Sequence, residues 1–289
     1  APTTAAPNTM VPASEAPATE APASTDSAAV GQRIVSLAPT ATEMLFAIGA
    51  GPQVVAVDDY SNYPADAPMT DLSGYEPNIE AISKYEPDLV VLSDDKNNVV
   101  AGLEALGVDV VQIPAAVTVA DVYAEIGQLG EATGHTAEAD ALVGSMKTKI
   151  AAIVADATAK APAGLTYYHE LDNTYYSVTS TTFIGEVYGA FGLTNIADSQ
   201  SKPDTDGGYP QLNAEYIVSS NPSLIFLADV KCCDVTAASV GQRPGWEGLD
   251  AVKHGTVIEL DDDVASRWGP RIVDLYQAVA DALAKVPAG

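Results

Sequence analysis

The sequence predicts an α/β protein of two lobes, each built on a parallel sheet, joined by one long helix. Three patterns point there. Short unbroken apolar runs alternate with helical stretches, the signature of parallel strands covered on both faces. One helical apolar stripe runs from Thr136 to Ala161. The segments on either side of that stripe repeat a common arrangement of Glu, Pro and apolar run.

Arg33 to Leu37 is the first strand and stops at Ala38-Pro39. Thr40, with Glu43 three residues on, has the spacing of a capping box and predicts a helix carrying Met44, Leu45, Phe46 and Ile48 up to Gly49. Strands follow at Val54 to Val57, Leu89 to Leu92 and Val108 to Ile113. Helices fill the gaps at Asn78 to Tyr85, Val99 to Leu106 and Val119 to Thr133. In the long helix, Leu142, Val143, Met146, Ile150, Ile153, Val154 and Ala157 lie on one side. At about 1.5 Å per residue it is longer than a lobe needs internally. Pro162 and Gly164 end it. The alternation then resumes with Leu165 to His169, a helix from Phe183 to Phe191, strands at Leu224 to Leu227 and Thr256 to Leu260, and a last helix from Ile272 to Val286.

The halves match in two places. Glu43 and Glu186 each sit in an apolar helix and each precede a glycine, Gly49 and Gly192. Glu80 leads through Pro87 into Leu89 to Leu92, as Glu215 leads through Pro222 into Leu224 to Leu227. Each half thus puts a carboxylate in the first turn of a helix that runs into a buried strand.

A chain of 289 residues and 29.8 kDa exceeds one compact domain, and 47% apolar residues can fill a large core. Thirteen basic against 39 acidic residues give a net charge of −26. That balance excludes nucleic-acid binding over an extended face and adhesion to an anionic membrane surface. Uncharged stretches such as Met44 to Val57 are too short and too broken by Gly and Pro to span a bilayer. His135, His169 and His254 lack metal-ligand spacing, and the two cysteines are adjacent, which excludes a zinc ribbon, an iron–sulfur protein and a cystine-knot scaffold. No intrinsic metal or cofactor is expected.

Residues 1–30 are different material: ten Ala, five Pro at intervals of five, five Thr and three Ser, with charge only at Glu15, Glu20 and Asp26. They cannot bury enough apolar surface to offset their ordering entropy and read as an extended tether, about 30 Å across as a coil. A start at Ala1 suits a processed exported chain, and a trimmed one equally; the anchor of such a tether is not in this sequence.

The aromatic residues point to a ligand. Thirteen Tyr and two Trp accompany only four Phe. Tyr60, Tyr63, Tyr75, Tyr209, Trp246 and Trp268 fall in predicted loops or at element ends, where flat faces and polar tips suit a large, partly polar small molecule. His169, Glu170 and Asp172 are hydrolase-type side chains, but neighbours on a strand face opposite ways, and no nucleophile elbow, phosphate loop or dinucleotide fingerprint is present. A binding protein is therefore expected rather than an enzyme, with His169 facing ligand or core. Arg243, Arg267 and Arg271 are the basic residues near the predicted cleft loops. A neutral or cationic ligand suits so acidic a chain better than an anionic one.

Ser36-Leu37-Ala38-Pro39-Thr40-Ala41-Thr42-Glu43, Asp58-Asp59-Tyr60-Ser61-Asn62-Tyr63-Pro64, Pro77-Asn78-Ile79-Glu80-Ala81-Ile82, Gly192-Leu193-Thr194-Asn195-Ile196 and Arg267-Trp268-Gly269-Pro270-Arg271 follow one another in a familiar order. Over about residues 33–286 the chain resembles the periplasmic cobalamin (vitamin B12) and iron-siderophore binding proteins of ABC importers. The resemblance implies two Rossmann-like α/β lobes, 31–135 and 162–289, a rigid connecting helix at 136–161, little hinge closure and a ligand held between the lobes. It implies ligand contacts at Tyr60, Tyr209, Asp263 and Arg267. The cobalamin-binding member has a Trp where this chain has Gly74, with Tyr75 beside it. The resemblance also implies that Glu80 and Glu215 dock a dimeric transmembrane permease. The expected site is thus Tyr60, Tyr75, His169, Tyr209, Trp246, Asp263, Arg267 and Trp268, in a monomeric extracytoplasmic lipoprotein. The expected ligand is cobalamin or a related corrinoid. A ferric siderophore or haem, with His169 as an axial ligand, stays open, as does a surface-tethered sensor without transport. Cys232 and Cys233 have no other partner, and in an oxidising compartment they are expected to bond to each other and stiffen a loop bordering the cleft.

Overall fold

Strands whose every residue is apolar need cover on both faces, and the computed structural model, which describes residues 31–287, provides it. The first lobe holds β1 (Ile34–Ser36), β2 (Val54–Asp58), β3 (Met69–Leu72), β4 (Leu89–Leu92) and β5 (Asp109–Gln112). They form one parallel sheet in the order β3-β2-β1-β4-β5. The second lobe holds β6 (Thr166–Glu170), β7 (Thr194–Asn195), β8 (Leu224–Leu227) and β9 (Val257–Glu259), parallel in the order β7-β6-β8-β9. Matching β1 with β6 and β4 with β8 superimposes the two strand orders, so the repeat read in the sequence is a repeat of topology.

Helices α1 (Pro39–Ala47), α2 (Ile79–Ser83), α3 (Val99–Glu104) and α4 (Val119–Thr133) belong to the first lobe. The connecting helix α5 (Thr136–Thr158) is 23 residues long, about 35 Å. The second lobe adds α6 (Phe183–Gly189), α7 (Pro203–Asp206), α8 (Ala214–Ser220), α9 (Val230–Cys233), α10 (Ala237–Gly241), α11 (Asp250–His254), α12 (Asp262–Ser266) and α13 (Ile272–Leu283). Gly134, at φ 75°, lets α4 turn sharply into α5, which packs along α4 and α13. The residues of the expected stripe are the ones α5 packs inward: Met146 and Ala157 are buried, and Leu142, Val143, Ile150, Ile153 and Val154 are half-buried on the same core.

Period-two alternation assigns each strand residue to one of two cores. Ile34, Leu89 and Val91 of the first lobe face a core shared with Tyr167, Leu224 and Phe226 of the second, filled by Val122, Ile126, Leu275 and Val279 from α4 and α13. Val35, Val90 and Leu92 face an outer core of their own lobe, and Tyr168, Ile225 and Leu227 do the same opposite. One apolar core therefore runs through both lobes. Sliding one sheet against the other would shear close-packed side chains, so the geometry between the lobes is held firmly.

Three readings are corrected here. Thr40 does not cap α1: Pro39 occupies the first turn, Ala38 is the cap residue with no side-chain bond, and Thr40 is buried inside the helix. The edge strand β3 was not foreseen, because Met-Thr-Asp-Leu, mostly exposed, carries no apolar run. The long helix stops at Thr158 rather than Ala161. The expected tether, residues 1–30, lies outside the described residues.

Candidate ligand-binding site

Open parallel sheets bind ligands beyond the carboxyl ends of their strands, and a cavity of about 410 Å³ lies there. Its floor is the Leu37 to Thr40 turn after β1; Asp58 ends β2 and Tyr60 follows it, and Ser93, Asp94 and Lys96 follow β4. The second lobe closes it with Asp263, Ser266, Arg267 and Trp268. Five of the eight expected ligand residues thus meet: Tyr60, Tyr75, Asp263, Arg267 and Trp268.

The other three do not. His169 is fully buried within β6, its Nδ1 2.8 Å from the Tyr188 hydroxyl, and burial pushes its imidazole down to about 3. A neutral core imidazole cannot reach a ligand, and the axial-ligand role falls with it. Trp246 is fully buried against Tyr168 and Tyr175, with the Arg243 guanidinium 4.7 Å from its ring centre. Its Gly/Pro-rich surroundings read as a loop, but the indole serves as a platform for Arg243. Tyr209 is exposed but does not line this cavity. Sequence reasoning in turn missed Asp58, Ser93, Asp94, Lys96 and Ser266, of which the first ends β2 and the next three follow β4 closely.

Tyr60 and Tyr75 form the aromatic rim, ring centres 5.6 Å apart and nearly perpendicular. They are 56% and 69% exposed, unusual for rings that pack on each other. Gly74 explains why Tyr75 carries this role. A Cβ at position 74 would lie 2.3 Å from the Leu37 carbonyl oxygen and 2.9 Å from Asp58, so no side chain fits there without moving the loop. The Trp that the resemblance places at this position is sterically excluded, and the neighbouring Tyr supplies the ring.

The arginines in and behind the cavity wall are already committed. Arg267 donates from Nη1 to Glu43 Oε1 and Asn62 Oδ1, both at 2.9 Å, and from Nη2 to the Tyr60 carbonyl at 3.2 Å, and it pairs with Asp263 at 2.9 Å. Arg271 donates from Nε and Nη2 to the same Glu43 carboxylate at 2.8 and 2.5 Å and stacks on Tyr63. Glu43 itself is buried in α1. One carboxylate of the first lobe therefore clamps two arginines of the second. Its counterpart Glu186 reaches the opposite way, accepting the Val119 amide at the start of α4 at 2.8 Å. Arg243 is held bidentately by buried Glu170, both bonds 2.6 Å. Asp229 lies beside that pair, and burial, then Glu170, pushes its carboxyl up to about 7. The motif Ser36 to Glu43 thus both floors the cavity and braces it: Thr42 donates to the Ser36 hydroxyl at 2.8 Å and lies 2.9 Å from that of Ser61, tying β1, α1 and the Tyr60 loop together.

The Cys232–Cys233 disulfide closes α9. The Asp262 carboxylate accepts the amides of Val230, Lys231 and Cys232, and Lys231 pairs with Asp261 and Asp263. The disulfide ring is not part of the cavity wall; the Asp262 and Lys231 contacts tie α9 to the segment that carries Asp263, Arg267 and Trp268.

Glu125 of α4 supports the wall from behind, its carboxyl near the Trp268 side chain. Burial, then Asp121, pushes it up to about 7. The folded protein holds this proton more tightly than the unfolded chain, so the stability it contributes is complete below the unfolded carboxyl range and is lost as pH rises through about 7. Glu125→Gln, which mimics the protonated group, should therefore gain stability relative to the parent between pH 5 and 8. Urea midpoints of both proteins at both pH values measure this; an equal difference at the two pH values would refute it.

Two parallel sheets around a shared core, with a ligand-sized cavity beyond the strand ends, match a known pattern. A profile of the family described as periplasmic binding protein fits residues 34–264. The chain belongs to the periplasmic binding protein family. It is 31% identical over 260 residues to the uncharacterized ABC transporter substrate-binding lipoprotein YvrC of Bacillus subtilis, covering 87% of this chain and 80% of that one. It is equally 31% identical over 261 residues to the cobalamin-binding protein of Halobacterium salinarum, covering 87% and 69%. The solved vitamin B12-binding protein BtuF of Vibrio cholerae superposes at a TM-score of 0.70 with 25% identity, covering 88% of this chain and 96% of that one.

Proposed function

We propose that this periplasmic binding protein captures a corrinoid, cobalamin foremost, between its lobes and delivers it to the transmembrane permease of an ABC importer. Residues 1–30 serve as the spacer to a membrane anchor outside the cell, and the protein works as a monomer. Its relatives' names, an ABC transporter lipoprotein and two proteins for cobalamin or vitamin B12, support this reading. The observation that carries it is the chemistry of the cleft. Two exposed tyrosine faces offer a flat apolar contact, while Arg267, the arginine of the cavity wall, is neutralised by Glu43 and Asp263. A multiply anionic ferric chelate would find that arginine already paired; a macrocycle carrying mostly neutral amides does not need it.

Haem is the second reading, favoured by one feature: the phenols of Tyr60 and Tyr75 are accessible, and a tyrosinate is a known axial iron ligand. Spectroscopic titration with cyanocobalamin, haemin and a ferric siderophore separates the readings. Joint Tyr60→Ala and Tyr75→Ala should weaken cyanocobalamin binding about tenfold or more, since aromatic anchors dominate such contacts. Tyr→Phe at both positions keeps the faces and should keep corrinoid affinity, whereas haem ligation by a phenol would be lost. Cyanocobalamin that fails to bind the parent protein would refute the corrinoid reading.

A further inference from the structure

Four of the five N–H bonds of Arg267 are spent on Glu43, Asn62, the Tyr60 carbonyl and Asp263. The other cation lining the cavity is Lys96, just beyond β4. Its ammonium is 3.8 Å from Asp94, with half the side chain exposed, and among the described residues it has no other ion-pair partner. A pair that long and that solvated holds its lysine loosely. The segment beyond it is unusual: Asn97 and Asn98 are successive non-glycine residues in the left-handed region, at φ 59° and 55°. Such conformations are costly and collect where a ligand is gripped. Asp95 secures the turn by accepting the Val100 amide at 3.0 Å.

We infer that Lys96 determines specificity: its ammonium meets the single anionic group of the ligand, a phosphodiester on a macrocycle otherwise dressed in neutral amides. The inference rests on the corrinoid reading above and deepens it. A cleft with one loosely paired cation, among carboxylates at Asp58, Asp94 and Asp263, suits one negative charge and repels several. Lys96 therefore sorts intact cobalamin from corrinoids that lack the nucleotide loop and its phosphate.

The experiment compares cyanocobalamin with dicyanocobinamide, which lacks that phosphate, by absorbance titration on the full chain at low and high salt. In the parent protein the preference for cyanocobalamin should shrink as salt rises. Lys96→Gln should lower the preference about five- to tenfold at low salt and flatten its salt dependence, and Lys96→Glu should lower it further. A preference unchanged within twofold in both variants overturns the inference, whether the two affinities fall together or not at all. A parent protein that binds neither corrinoid overturns the corrinoid reading itself, and this inference with it.

Discussion

Replacing Glu43 by alanine should cost about 3–5 kcal/mol of stability, the range for removing one partner of a buried ion pair. For a chain of this size that lowers Tm by roughly 10 °C. The reason is what remains. The Arg267 and Arg271 side chains are only 12% and 17% exposed, so both guanidinium charges would stay desolvated. Arg267 keeps Asp263, Asn62 and the Tyr60 carbonyl, whereas among the described residues Arg271 loses its one ion pair and keeps the face of Tyr63 and the more distant charges of Asp261 and Asp263. A double change, Glu43→Leu with Arg271→Leu, removes the stranded charge and should recover about half of the loss, because apolar replacement of a buried pair is often neutral. Urea denaturation followed by tryptophan fluorescence reads all three proteins. A loss of about 1 kcal/mol or less in Glu43→Ala would mean that the clamp is worth no more than a solvated surface pair. The same substitution should weaken ligand binding, since Glu43 fixes the guanidinium that lines the cleft.

That clamp shows what a sequence conceals. Thr40 and Glu43 have capping-box spacing, and local pattern alone favours that reading. Pro39 starts the helix one residue earlier, and the partners of Glu43 lie 224 and 228 residues away. Long-range charge pairing leaves no local periodicity. The strands, the connecting helix and the repeat were legible because burial on both faces imposes unbroken apolar runs, and a helix between two lobes imposes a stripe. β3 and β7 were not, being an exposed edge and a two-residue pair.

The site was legible where residues lie beyond a strand and illegible where they lie inside one or are buried by the fold. His169 and Glu170 do face opposite ways, as alternation requires, but both sides of β6 are covered: one faces Tyr188, the other Arg243. In a sheet buried on both faces, no interior strand residue reaches the cleft. Asp58, Ser93, Asp94 and Lys96 occupy the positions at and just past the strand ends that do. Trp246 was misplaced for a different reason: Arg-Pro-Gly before it signals a turn, and only three-dimensional packing reveals that the turn folds its indole under Arg243.

Reversing Glu80 and Glu215 together should abolish uptake through the permease while leaving ligand affinity within about twofold. A single exposed glutamate in a helix's first turn says little, because the macrodipole alone favours it by a few tenths of a kcal/mol. The argument lies in the match. Glu80 stands in α2 and Glu215 in α8, helices that feed the equivalent strands β4 and β8. Each helix is capped by an asparagine: Asn78 accepts the Ala81 amide at 2.9 Å, and Asn213 accepts the Tyr216 amide at 2.8 Å. Both carboxylates are exposed, and among the described residues neither has a hydrogen-bond or ion-pair partner. Glu43 and Glu186, the other matched pair, are spent on contacts between the lobes; this pair is free to meet something else. A permease with two-fold symmetry presents the same basic patch twice, and a protein with one carboxylate per lobe can satisfy both copies at once. Losing one contact should reduce uptake partially. Two reversals set like charge against like at both ends, which costs far more than the loss of attraction. The shared apolar core keeps the lobes in register, so the two contacts act as a rigid pair rather than independently. Vesicle uptake of cyanocobalamin, with equilibrium titration of the same variants, tests both halves of the expectation. Uptake that survives Glu80→Arg with Glu215→Arg would remove the docking role, and ligand affinity that falls in parallel would move these carboxylates from the permease surface to the folding or binding of the cleft.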